Sequence, residues 1–150
     1  MHKDEIERSF PGLATTGYHI TSSADPAYNC AAWAAGETDR WWEPSTGGGY
    51  YWPPAVPPGH SMASFVAAFT ALGYEPCSDG RTEPGTEKLA LYADEHGLPT
   101  HVSRELPSGT WRSKLGASED LEHDMLEALE GVLYGRVVQH LRRRLPVREK

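Results

Sequence analysis

The sequence predicts one small α+β domain, on three observations. The apolar residues Met62, Phe65, Val66 and Phe69 recur at helical spacing in a segment bounded by Ser61 and Gly73. Three strand-like segments follow, KLALYA, THVSREL and TWRSKL, joined by the turn sequences DEHGLP and PSG. The length, 150 residues, suits one core and argues against a second domain. Hydrophobic content is a modest 39%, but five Trp, seven Tyr and three Phe supply large anchors and exclude a wholly disordered chain.

Taken in order, residues 1–27 read as an irregular lead-in, since Pro11, Gly12, Gly17 and the run Ser-Ser-Ala-Asp-Pro offer turns rather than periodicity. Residues 30–35, CAAWAA, predict a short helix with Asn29 as N-cap and Gly36 as its stop. From Arg40 to His60 the aromatics, prolines and triple glycine predict a long loop, which in a compact domain is commonly functional. A core helix spans Ser61 to Leu72, and Cys77 falls in a loop, EPCSDGRTEPG. Strands are expected over Lys88–Ala93, Thr100–Leu106 and Thr110–Leu115. A helix over Ser118–Leu129 is suggested by Leu121, Met125, Leu126 and Leu129; Tyr134–Arg143 reads as a closing strand or a second helix, with the strand favoured, and a basic tail follows at 142–150.

Composition narrows the function. The charged N-terminus lacks the apolar run of a signal peptide, and no stretch approaches about 18 uninterrupted apolar residues, so a cytoplasmic protein without a membrane segment is expected. Two cysteines, Cys30 and Cys77, are too few for a disulfide framework and lack metal-site spacing; in a reducing compartment they read as free thiols, with a single Cys30–Cys77 bridge as the other option. The net charge of −7 should repel nucleic acid, and the basic tail reads as solvated. The acidic cluster Glu119, Asp120, Glu122, His123 and Asp124 spreads around its predicted helix, so no metal is expected and no cofactor is implied. His60, His96, His123 and His140 read as solvated.

The chemistry centres on Cys30. A helix start supplies partial positive charge and free N–H groups that favour a thiolate, and the N–H groups at Asn29 and Cys30 could hold an oxyanion. The second half comes from hairpin register. Pro107-Ser108-Gly109 suits a three-residue loop pairing Leu106 with Thr110, so Glu105 faces Trp111 and Ser103 faces Ser113. One face then carries His101, Ser103, Glu105, Trp111, Ser113 and Leu115, and the other Val102, Arg104, Arg112 and Lys114, whose three cations should seek water. His101 becomes the candidate base, with Ser113 as orienter and Ser103 and Glu105 as competitors.

The order of these parts resembles the papain-like fold, and within it the cysteine peptidases and amidases of the NlpC/P60 and CHAP type. The carriers are Cys30 in YNCAAWA, His101 in PTHVSREL and Ser113 in GTWRSKLG. The resemblance implies N-terminal helices packed on a small antiparallel sheet, with Cys30, His101 and Ser113 as the catalytic set. A Ser at the third position, where NlpC/P60 enzymes frequently have His, and Asn rather than Asp before the Cys depart from that pattern and leave the substrate open. The chain is also similar to a bacterial group sharing N-C-x-x-W-A, an aromatic and proline loop and W-x-S-K-L-G over residues 28 to 141, which implies no activity.

Two readings follow. In the first the chain is a thiol hydrolase or acyl-transferase acting on a peptide, protein or small amide, a deamidating effector included, with Trp41, Trp42, Tyr50, Tyr51, Trp52 and Trp111 contacting substrate. In the second it is a non-catalytic binding domain whose aromatic loop, residues 41–52, is the recognition surface.

Overall fold

The segment TEKLALYA is apolar on both sides of its pleat, the pattern of a strand covered on two faces, and it forms an interior strand of the sheet. The computed structural model describes residues 3–44, 50–54, 56, 59–115 and 119–145. In chain order the elements are α1 (Lys3–Ser9), α2 (Pro11–Thr16), β1 (Tyr18–Ser22), α3 (Cys30–Ala34), α4 (Met62–Thr70), β2 (Glu75–Cys77), β3 (Thr86–Ala93), β4 (Pro99–Glu105), β5 (Trp111–Lys114), β6 (Asp120–His123), a 3-10 turn (Leu126–Leu129) and β7 (Arg136–Arg144). The strands form one sheet in the order β1-β6-β5-β4-β3-β7-β2, every neighbouring pair antiparallel.

Each face of the sheet has its own core. On one, α3, α4 and the aromatic segment cover Leu89, Leu91, Val102 and Leu141, with Trp42, Phe65, Phe69 and Tyr74 filling between. On the other, Ile6 of α1, Leu13 of α2 and the 3-10 turn cover Tyr92 and Leu121. Burying such apolar area contributes roughly 25 cal/mol per Å², and covering both faces explains how a chain of modest hydrophobicity sustains a wide sheet.

This architecture overturns the papain-like expectation of N-terminal helices on a small sheet. The seven-stranded antiparallel sheet is the body of the fold, and its α-helices run to only five to nine residues. The difference arises in segments whose strand character is short. The lead-in is ordered as α1, α2 and β1, and β1 pairs with β6. Cys77 lies in strand β2, paired with β7, rather than in a loop. The predicted helix at 118–129 is strand β6 followed by the 3-10 turn, and Ser118 lies outside the described residues. Its helical stripe was a coincidence of two short elements, because Leu121 belongs to the strand and Leu126 and Leu129 to the turn. Arg142 to Arg144 of the basic tail complete β7, with Arg142 paired to Glu75 at 2.9 Å, rather than standing free in water.

The hairpin register holds, with Glu105 opposite Trp111 and the Leu106 N–H donating to the Thr110 carbonyl at 2.8 Å. The face expected to seek water does not. Arg104 and Arg112 stand over the Trp33 ring at 4.9 and 5.2 Å, and Lys114 is fully buried, donating to the Asp25 carbonyl at 2.6 Å beside the Tyr28 ring. Helix α3 roofs this face, so the cations are held by rings and carbonyls in place of water.

Gly135 has φ +72°, and a Cβ there would stand 1.9 Å from the Ala93 carbonyl oxygen; Gly36 has φ +85° with open space around it. Gly36→Ala should therefore cost about 1 kcal/mol of left-handed strain. Gly135→Ala should add overpacking of about 1–3 kcal/mol to that strain. Urea denaturation of the two variants checks the order, and equal losses would show that the backbone at Gly135 moves aside freely.

Candidate functional site

Asn29 fixes the start of α3. Its side-chain oxygen accepts from the Ala32 N–H at 3.1 Å, the bond of an N-cap, and from the Trp42 N–H at 3.2 Å. Its amide nitrogen donates to the Trp42 carbonyl at 2.8 Å. One side chain thus both caps the helix and ties it to the aromatic segment.

Cys30 is the first residue of α3, and its thiol borders a cavity of about 130 Å³. Trp41, Trp42, Phe65 and His60 form the aromatic wall of this cavity, and Thr100, His101 and Val102 of β4 the opposite one. Burial pushes the thiol up from its ordinary value, while the backbone N–H groups of Val102, Ala31 and Cys30 and the charge of Lys114 favour the thiolate. The N–H of Val102 is available because the β4–β5 ladder comprises Arg104↔Arg112 and Glu105↔Trp111 and does not extend to residue 102.

His101 reaches the same cavity from the next position of β4. Strand alternation sends Val102 to the α3 side and the His101 ring to the opposite side, where it stacks on Tyr134 with centroids 4.2 Å apart and planes 4° from parallel. It is 2% exposed, and among the described residues neither ring nitrogen has a hydrogen-bond partner, so no hydrogen bond joins it to Cys30. Burial, with the neighbouring His123, holds it well below the ordinary histidine value, so the imidazole is neutral at pH 7.

Ser113, expected beside His101, is bonded elsewhere. Its hydroxyl lies 2.7 Å from Ser103 Oγ and 2.8 Å from His123 Nε2, and His123 Nδ1 lies 3.0 Å from the Met125 carbonyl. A carbonyl only accepts, so Nδ1 carries the proton and Nε2 accepts from Ser113. Ser103 Oγ also contacts the Tyr92 hydroxyl, at 3.3 Å. Glu105 receives the Thr82 hydroxyl at 3.1 Å and is likewise engaged away from His101. His123 is 1% exposed within β6 rather than solvated on a helix, and it and Tyr134 are the two site neighbours that sequence reasoning missed. The alternation Leu121-Glu122-His123 was the available signal for His123.

The aromatic residues divide. Trp42 is buried, stacked on Phe69, with its indole N–H donated to Glu37; Tyr51 and Trp52 pack on the same core. Trp41 borders the cavity, with Tyr50 tilted against it at 6.2 Å and half exposed. Trp111 is buried in β5 and does not line the cavity. Cys77 stands opposite His140 on the sheet's edge, and both thiols are free, so no bridge joins Cys30 to Cys77. Among the described residues no three His, Cys, Asp or Glu side chains gather as a metal site, and no helix is long and apolar enough to cross a membrane. A larger hollow, about 560 Å³, lies among the ion-paired Glu75, Glu83 and Arg142 and is lined by no Cys or His among the described residues.

A family model described as "Domain of unknown function (DUF7689)" matches residues 19–142, which takes in Cys30, His101 and all of the sheet but Tyr18, Arg143 and Arg144. No curated protein and no solved structure matches the chain.

His123 is pushed down to about 4 by burial. A histidine depressed in the folded state binds fewer protons there than when unfolded, so its contribution is full above about 6.5 and drains away as pH falls towards 4. His101 acts in the same direction. Asp120, pushed up to about 6 by burial, opposes them, because it is protonated more readily when folded. Urea unfolding between pH 7 and 4 should show stability falling with acid in wild type and a flatter profile in His123→Gln; an unchanged profile would show that His123 titrates normally.

Proposed function

Because the chain belongs to the DUF7689 family, whose function is unknown, its activity must be read from its own site, and we propose that it is a thiol hydrolase or acyl-transferase acting on an amide or peptide bond. Cys30 at a helix start and His101 of β4 both border one cavity, and that juxtaposition carries the reading; the imidazole, with no hydrogen-bond partner among the described residues, lies on the Tyr134 side of the strand and must turn towards the thiol to act. Leaving a buried polar atom unpaired costs about 1–3 kcal/mol, so such a group calls for a use.

Thiol and imidazole both rest neutral, so proton transfer accompanies attack. Cys30 Sγ bonds to the substrate carbonyl carbon while its proton passes to a His101 nitrogen. The oxyanion faces the N–H groups around Cys30. On collapse the carbon–nitrogen bond breaks, the amine takes the proton from His101, and a thioester remains on Cys30. Water then releases the acid, or an acceptor amine takes the acyl group. The Tyr134 ring, rather than Ser113, fixes the plane of the imidazole. Peptide, protein and small amide substrates all fit this chemistry, and two free thiols suit the cytoplasm. A non-catalytic binding domain is the second reading, favoured by the neutral resting state; with Trp42, Tyr51 and Trp52 in the core, its contact surface reduces to Trp41 and Tyr50.

Incubation with p-nitrophenyl acetate, followed by peptide mass analysis, should find acetyl on Cys30. Cys30→Ala should abolish it, and His101→Ala should slow it at least about 100-fold. His101→Phe keeps a ring on Tyr134 and removes the unpaired nitrogens, so it should lose acetylation while gaining about 1 kcal/mol of stability. Slow acetylation of Cys30 and Cys77 alike, indifferent to His101, would favour the binding domain.

A further inference from the structure

The charge on the cavity wall is one-sided. Glu43 borders the cavity beside Trp41 and Cys30, and no Lys or Arg does among the described residues. Its backbone is fixed, since the Glu43 N–H donates to the Tyr51 carbonyl at 2.9 Å. Its carboxylate, however, has no hydrogen bond or ion pair among the described residues. Other half-buried or buried carboxylates here are answered: Glu37 by Arg40, Glu87 by Arg104 and Asp120 by Arg112. Lys114, whose charge reaches Cys30, does not line the cavity and is engaged with the Asp25 carbonyl.

An unanswered carboxylate beside an indole ring is a pairing that attracts cations, the carboxylate by charge and the ring by its negative face. Resting on the reading of Cys30 as nucleophile, we propose that the cavity selects carbonyl substrates bearing a cationic group, an ammonium or guanidinium, held between Glu43 and Trp41. Substrates with a carboxylate in that position are repelled. A cavity of about 130 Å³ admits only a small group, so the cation sits close to the bond that is cut.

The test compares, on the full chain, two charged methanethiosulfonates of similar size, 2-(trimethylammonio)ethyl and 2-sulfonatoethyl, with the smaller methyl reagent as a neutral reference. Rates at Cys30 and Cys77 are read by peptide mass and normalised to N-acetylcysteine. The cationic reagent should be favoured over the anionic one at Cys30 by roughly tenfold, a partly screened charge effect. Glu43→Gln should bring that ratio close to one. At Cys77, beside Lys88, the ratio should be unaffected by Glu43→Gln. A ratio at Cys30 that ignores Glu43→Gln, or that favours the anion, overturns the proposal, as does a Cys30 inert to all three reagents. Charge selection without acetylation by p-nitrophenyl acetate would uphold the cation site and sink the hydrolase reading alone.

Discussion

The fold depends on β3 being covered on both faces while carrying two charges inside. From Glu87 to Ala93 every residue of this strand is buried. Glu87 answers the α3 side, accepting the Tyr74 hydroxyl at 2.8 Å and pairing with Arg104 and Arg143. Lys88 answers the other, donating to the Asp79 carbonyl at 3.0 Å and pairing with Glu83 at 3.1 Å. Removing one partner of a buried pair leaves an uncompensated charge, which is far costlier than the pair is favourable. The two residues therefore act as register marks, since a slip of one position would present each charge to the wrong set of partners.

The site is a product of that covering. Helix α3 lies on the sheet because Ala31, Ala32 and Ala34 are small enough to bring its backbone close to Val102, and that approach carries the Cys30 thiol to the N–H of β4. Asn29 then adds the aromatic wall by holding Trp42 through both backbone groups. Thiol, helix start and indole wall are thus one unit, set by a single amide and the close packing of alanines.

Much of this was legible in the sequence where a signal was long or chemically specific. The Asn29 cap, the Ser61-capped core helix and the 101–115 hairpin are each encoded by neighbours in the chain. What was not legible depended on partners far away. Strand β2 has three residues and β6 four, too few for periodicity to declare itself, and each is defined by the strand beside it. The inward turn of Lys114 could not be read because it depends on a roof, helix α3, that local sequence does not reveal. Nor could the diversion of Ser113 to His123, which required β6 to be a strand.

The position of β7 has a consequence for how the protein is made. It joins β3 to β2, yet it follows both in sequence by the length of the whole β4–β6 meander. While the ribosome is still producing that meander, β3 has an open edge carrying Leu89 and Leu91, and β2 has nothing to pair with. A nascent chain in that state offers a template for another strand. Completion of the sheet must therefore await the emergence of residues 136–144, and until then the edge of β3 is open to pairing with another strand.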